Sequence, residues 1–148
     1  MDSILSRRPT LQGFEERCQY ALDLVQLHLE EENPERIDEC LRLYAFNAVW
    51  QAPARNVSYS GLRSIKANYL RIFRNVEDFR FEHLERFATP ERVFVDSRVR
   101  FRITGDAFDN CPLPVGSRAE VRLLHTFHIA DGLISREIDY EIWQNENA

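Results

Sequence analysis

Between Arg92 and Thr104 the chain alternates without a break. Val93, Val95, Ser97, Val99, Phe101 and Ile103 fall at one parity; Phe94, Asp96, Arg98, Arg100 and Arg102 fall at the other. Successive side chains of a strand point to opposite faces, so this segment buries one face and gives the other to charge and water. Such a strand needs neighbours along its edges and a layer over its apolar side. Further strands are expected at Phe79–Ala88, Ser117–Ile129 and Leu133–Trp143. The last two meet at Ala130-Asp131-Gly132, where Asp-Gly favours the positive φ of a hairpin turn.

The N-terminal half supplies the covering layer. From Leu11 to Glu32, Phe14, Cys18, Ala21, Leu22, Val25, His28 and Leu29 recur at three- and four-residue steps, which makes a helical stripe. Pro34 suits the first turn of a second helix, to Leu43. Ala45–Pro53 reads as a strand and Arg55–Ser60 as a loop. Gly61 opens a third helix with Leu62, Ile65, Tyr69, Ile72, Phe73 and Val76 on its apolar face. Residues 1–9 are polar and expected to fray. The order ααβαββββ, helices leading and an antiparallel sheet following, is the α+β signature. One domain over residues 1–148, with its core in 11–143, fits a chain of this length.

Composition narrows the function classes. The net charge of −5 offers no basic footprint for nucleic acid. No run of 18 apolar residues would span a membrane, and Met1–Pro9 has no apolar stretch of signal type, so the expected place is the cytosol. Cys18, Cys40 and Cys111 are odd in number and widely spaced, which suits reduced thiols better than a disulfide framework or a zinc site. No glycine-rich phosphate loop, nucleophile elbow or metal-spaced His/Cys cluster occurs, so neither cofactor nor metal is expected.

Three local patterns carry a resemblance. Leu43-Tyr44-Ala45 leads into a strand ending Trp50-Gln51-Ala52-Pro53. Ser60-Gly61-Leu62-Arg63-Ser64-Ile65 is followed by Tyr69. His125-Thr126-Phe127-His128-Ile129-Ala130-Asp131-Gly132-Leu133-Ile134 is followed by Asp139-Tyr140. In this order over Phe14–Trp143, the chain resembles the nuclear transport factor 2-like superfamily, and within it the SnoaL-like polyketide cyclases, limonene epoxide hydrolases and ketosteroid isomerases. The resemblance implies a cone-shaped α+β barrel, a pocket between the helices and the concave face of the sheet, and homodimers through the convex face.

Asp139 matches the catalytic aspartate on the last strand of the epoxide hydrolases, which implies that it faces the pocket. Periodicity alone says otherwise. Ile138, Tyr140 and Ile142 alternate with Glu137, Asp139 and Glu141, and hydrophobicity would turn the acids outward beside Arg98, Arg100 and Arg102. His125 falls where the isomerases carry their oxyanion-hole acid, on an apolar parity with Val121, Leu123, Phe127 and Ile129. A three-residue turn would set it opposite Glu137 and diagonal to Asp139; a two-residue turn would separate them. His28 aligns near the isomerases' catalytic tyrosine. His83 and His128 read as ordinary strand residues. Trp50, Tyr69, Phe73, Phe101 and Phe127 are inward aromatics that either fill the core or wall a cavity.

The departures from the resemblance matter equally. The isomerase base falls on Ala52, and the epoxide hydrolases' Arg and second Asp fall on Ser97 and Val99. Their tyrosine and asparagine of the first strand fall on Trp50 and Ala52. The expectation that remains is a cofactor-independent isomerase or cyclase of small apolar or cyclic molecules, with Asp139 as proton acceptor and His125 as orienter or donor. The alternative is a non-catalytic dimeric ligand-binding or protein-interaction domain of the same fold.

Overall fold

The computed structural model describes residues 4–10 and 13–146. Leu11, the expected start of the core, lies outside the described residues. Much of the segment expected to fray is a 3-10 helix, Ile4–Thr10. Helix α1 (Phe14–Glu30) buries Tyr20, Ala21, Leu24, Val25 and His28. Phe14 is largely exposed, so the stripe begins one turn later than its spacing predicts. Helix α2 keeps only Ile37–Leu41 and packs on Ile37, Cys40 and Leu41.

Strand β1 (Tyr44–Ala52) runs into a 3-10 turn, Pro53–Arg55. Strand β2 (Val57–Ser60) then folds back on it, with Trp50 opposite Tyr59. Its four residues alternate exposed and half-buried positions, so no apolar run marks the strand in the sequence, where a loop was expected. Gly61, at φ +86°, turns the chain into helix α3 (Leu62–Arg74). Strands β3 (Val76–Ala88), β4 (Arg92–Ile103), β5 (Arg118–Ala130) and β6 (Leu133–Asn145) complete the fold.

The six strands lie in the order β2-β1-β6-β5-β4-β3. The sheet is curved and unclosed, with the helices over its concave side. It differs from an all-antiparallel sheet in one ladder: β1 runs parallel to β6. The reason is topological. Strand β1 enters from the helices, and the last strand returns beside it only after the β3–β5 meander.

The β5–β6 hairpin decides the orientation of the last strand. Asp131 and Gly132 form a two-residue turn with φ of 52° and 76°, as Asp-Gly favours. Ala130 pairs with Leu133 and Ile129 with Ile134, but His128 pairs with Arg136. Ser135 is therefore an extra residue in a β-bulge. The bulge changes the parity of everything downstream, so Glu137 faces inward opposite Phe127 and Asp139 inward opposite His125. Ile138, Tyr140 and Ile142 face outward. Neither simple turn gives this register, and the surface ladder expected from periodicity does not form. Arg98, Arg100 and Arg102 pair instead with Glu82, Glu120 and Glu77.

The buried apolar residues form two clusters. The larger joins α1, α2 and α3 to β1 and to Val93, Val95, Phe127, Ile129 and Ile134. The smaller holds Val99, Phe101, Ile103, Ala119 and Val121, with Trp143 against them. Between them a polar band crosses the concave face: Ser97, His125, Glu137 and Asp139, all buried.

Candidate active site

Glu137 is the centre of the band and is wholly buried. Tyr44 Oη donates to its Oε1 at 2.5 Å and Tyr69 Oη to the same oxygen at 3.1 Å. Trp50 Nε1 donates to Oε2 at 3.0 Å. His28 Nε2 lies 3.3 Å from Oε1, and His28 Nδ1 lies 2.9 Å from Cys40 Sγ. These partners come from three elements, His28 from α1, Tyr44 and Trp50 from β1 and Tyr69 from α3, so one carboxylate ties all three to β6. Burial alone would drive Glu137 towards its neutral form. The hydrogen bond and charge of His28, joined by His125 and a hydrogen bond from Asp139, together outweigh it and hold the carboxyl well below the usual range. Burial likewise opposes a charged His28, yet Cys40 and Glu137 together raise its pKa well above that of a free histidine.

His125 and Asp139 stand beside this saturated centre, and their environment is different. His125 Nε2 is 3.5 Å from Asp139 Oδ1 and 3.7 Å from Glu137 Oε2. His125 Nδ1 and Asp139 Oδ1 are buried and have no hydrogen-bond partner among the described residues. Burial pushes His125 down to about 4, so the imidazole is neutral at pH 7. Burial and the adjacent Glu137 charge push Asp139 well above the usual carboxylate range. Near neutrality His125 therefore has a lone pair to offer, while the surroundings of Asp139 favour its neutral, protonated form.

A cavity of about 70 Å³ opens against this pair at the seam between the two apolar clusters. Trp50, Tyr69, Phe101, His125 and Asp139 line it. Four other residues picked out from the sequence lie behind that wall. Phe73 stacks on Tyr69 at 6.0 Å, Phe127 stacks on His125 at 5.3 Å, and His28 and Glu137 are covered by the tyrosines and Trp50. The alternation that places them inward does not separate a cavity wall from the packing behind it.

Sequence reasoning passed over Glu32, Arg55 and Glu141, which also line the cavity. Glu32, in the turn after α1, is half-buried, and burial raises its carboxyl to about 8. Arg55 and Glu141 are a buried ion pair at 2.9 Å. The parity of Glu141 with Asp139 was the available signal for one of them. The 3-10 turn that swings Arg55 inward has no signature beyond Pro53. Ser97 was legible as the one polar residue in an apolar row, and its hydroxyl too is buried and unpartnered.

His125, Glu137 and Asp139 also offer ligand atoms within 4.8 Å of one another, which is a donor set for a divalent metal. Glu137 fits that role poorly, because three hydrogen-bond donors and His28 already occupy its oxygens.

A family model described as the SnoaL-like domain matches residues 25–137, more than half of the chain. The chain belongs to the SnoaL-like domain family. The match runs from α1 to Glu137 and so takes in the cavity wall up to the polar band. Solved structures share the fold of this SnoaL-like chain. A phenazine biosynthesis-related protein from Pseudomonas aeruginosa aligns with a TM-score of 0.72 at 16% identity, over 93% of this chain and 86% of that one. An LEH-like epoxide hydrolase from M. tuberculosis gives 0.66 at 17%, over 84% of each. SalBIII, an epoxide hydrolase/cyclase-like enzyme of pyran ring formation in the polyether salinomycin, gives 0.66 at 14%, over 84% and 92%. No curated protein matches the SnoaL-like chain. Among its described residues no helix is long and apolar enough to cross a membrane.

Proposed function

We propose that this SnoaL-like chain is a cofactor-independent acid–base enzyme that moves a proton between carbon and oxygen in a small, largely apolar cyclic carbonyl compound. The observation that carries the reading is the pair of buried atoms without partners, His125 Nδ1 and Asp139 Oδ1, beside the cavity. Buried polar groups are normally satisfied, and those that are not call for an explanation; a ligand group supplies one. Asp139 would donate its proton to the carbonyl oxygen while His125 accepts one from the adjacent carbon. The C–H bond breaks, an enol O–H forms, and an imidazolium–carboxylate pair remains to run the step in reverse. The fixed negative charge of Glu137 keeps Asp139 protonated beforehand and attracts the imidazolium that forms. Tyr44, Tyr69 and Trp50 hold that charge in place.

The test is deuterium exchange at the α-carbon of cyclohexanone in D₂O, followed by NMR. Wild-type protein is expected to accelerate exchange, and Asp139→Asn to reduce the acceleration by about 10²-fold or more while the fold persists. The rate should fall on the acid side as His125 protonates towards pH 4. An Asp139→Asn variant as active as wild type would remove the catalytic reading and leave a binding cavity. Outward-facing Ile138, Tyr140 and Ile142 support homodimerisation through the convex face as part of the same proposal.

A further inference from the structure

The polar wall of the cavity has a second part, which the proton-transfer reading does not use. Arg55 and Glu141 both line the cavity, with side chains 2% and 7% exposed. Arg55 Nε donates to Glu141 Oε1 at 2.9 Å and Nη2 to Oε2 at 3.3 Å. Nη1 donates to the Asp109 carbonyl at 2.7 Å. The guanidinium lies 4.7 Å from the Phe108 ring centre and 5.8 Å from that of Trp50. Trp143 Nε1 donates to Glu141 Oε1 at 3.0 Å. A buried ion pair is a poor device for stability alone, since apolar residues of equal volume do as well or better.

The hydrogen-bond inventory of the pair is incomplete. A guanidinium has five N–H donors, and three are engaged here. Among the described residues Glu141 Oε2 accepts only the long bond from Nη2. The pair therefore presents both spare donors and a spare acceptor, with no net charge. Asp139 and Glu141 stand two residues apart on β6, so their backbones are about 7 Å apart along the cavity.

We infer that Arg55 and Glu141 form a specificity subsite for an uncharged hydroxyl or similar donor–acceptor group, carried on the ligand remote from the oxygen that meets Asp139. A hydroxyl both gives and accepts a hydrogen bond and matches the pair. A carboxylate would meet the charge of Glu141, and a purely apolar ring would leave the pair as it is. The inference rests on the cavity being a small-molecule site and assigns that molecule a second oxygen.

The chain's two tryptophans report on the two ends separately. The Trp143 indole N–H is bonded to Glu141 and that of Trp50 to Glu137. Titration with cyclohexanone, 4-hydroxycyclohexanone and 4-oxocyclohexanecarboxylate, read from the two indole ¹⁵N–¹H signals, tests the subsite. The hydroxyketone is expected to move the Trp143 signal and to bind about tenfold or more tighter than either of the others. In the folded double variant Arg55→Met/Glu141→Leu, read at Trp50, that advantage should fall below about twofold. Glu141→Gln, which keeps the shape and unbalances the charge, should improve the carboxylate relative to the hydroxyketone; it is the second variant should the double one not fold. Preference for the carboxylate in wild type, an unchanged preference in the variants, or a Trp143 signal indifferent to all three probes each overturns the inference. Failure of the acid–base reading shows separately, as absent deuterium exchange with the Trp143 response intact.

Discussion

Asp139 and Glu137 are chemically similar side chains two positions apart on one strand, yet their surroundings shift their acidity in opposite directions. Glu137 has every oxygen engaged and a cationic imidazole beside it; Asp139 has an orphaned oxygen and a carboxylate beside it. The raised Asp139 pKa has a consequence for stability. An unfolded chain releases this proton from about 3.8, the folded chain only at a higher pH. The stabilisation is complete below the unfolded value and is lost as pH rises towards the folded one. His28, also raised, acts in the same sense above 6.5. His125, lowered to about 4, acts in the opposite sense up to 6.5 in wild type and variant alike, so in urea unfolding Asp139→Asn should lose less stability than wild type between pH 5 and pH 8. Equal slopes in the two proteins would mean that Asp139 is ionised when folded.

At the scale of elements, the bulge at Ser135 does most to create the site. Deleting Ser135 sets Arg136 directly after Ile134 and still opposite His128, so the ladder becomes regular while Glu137, Asp139 and Glu141 keep the concave face. We expect this variant to fold, with the far-ultraviolet spectrum of wild type and the Trp50 indole ¹⁵N–¹H signal still shifted by its bond to Glu137. Ser135→Ala keeps the extra residue and should stay within about 3 °C of wild type. A deletion variant that fails to fold would show that the bulge itself, and not only the facing of the acids, is required. The same bulge explains why the site was only half legible. The helix stripe, the β4 alternation and the Asp-Gly turn were readable because each depends on residues close in sequence. The parity of Asp139 depends on one irregular residue that no composition marks, and periodicity read without it turns the acids outward. Glu32 and Arg55 escaped for a related reason: both lie in short connections whose direction is set by tertiary packing.

At the scale of the molecule, the two sides of the sheet do different work. The convex side carries Arg98, Arg100, Arg102 and Arg122 in pairs with acids of neighbouring strands. Such exposed pairs add little stability singly. Amid them Tyr140 is 45% exposed and Ile142 60%, which fits the proposed contact between two copies. Sedimentation equilibrium should show a dimer, and Tyr140→Glu/Ile142→Glu a monomer with the far-ultraviolet spectrum of wild type. A wild-type chain sedimenting as a monomer throughout the micromolar range would remove the dimer from the proposal.

The core of this protein is divided, and the cavity lies on the dividing line. A molecule held there would touch Trp50 and Tyr69 on one bank and Phe101 and Trp143 on the other. It would act as a keystone, fusing two cooperative units into one. Amide exchange in β4 beyond Val99 and in the adjoining stretch of β5 should then slow on saturation with 4-hydroxycyclohexanone, while the already well-packed helices change little.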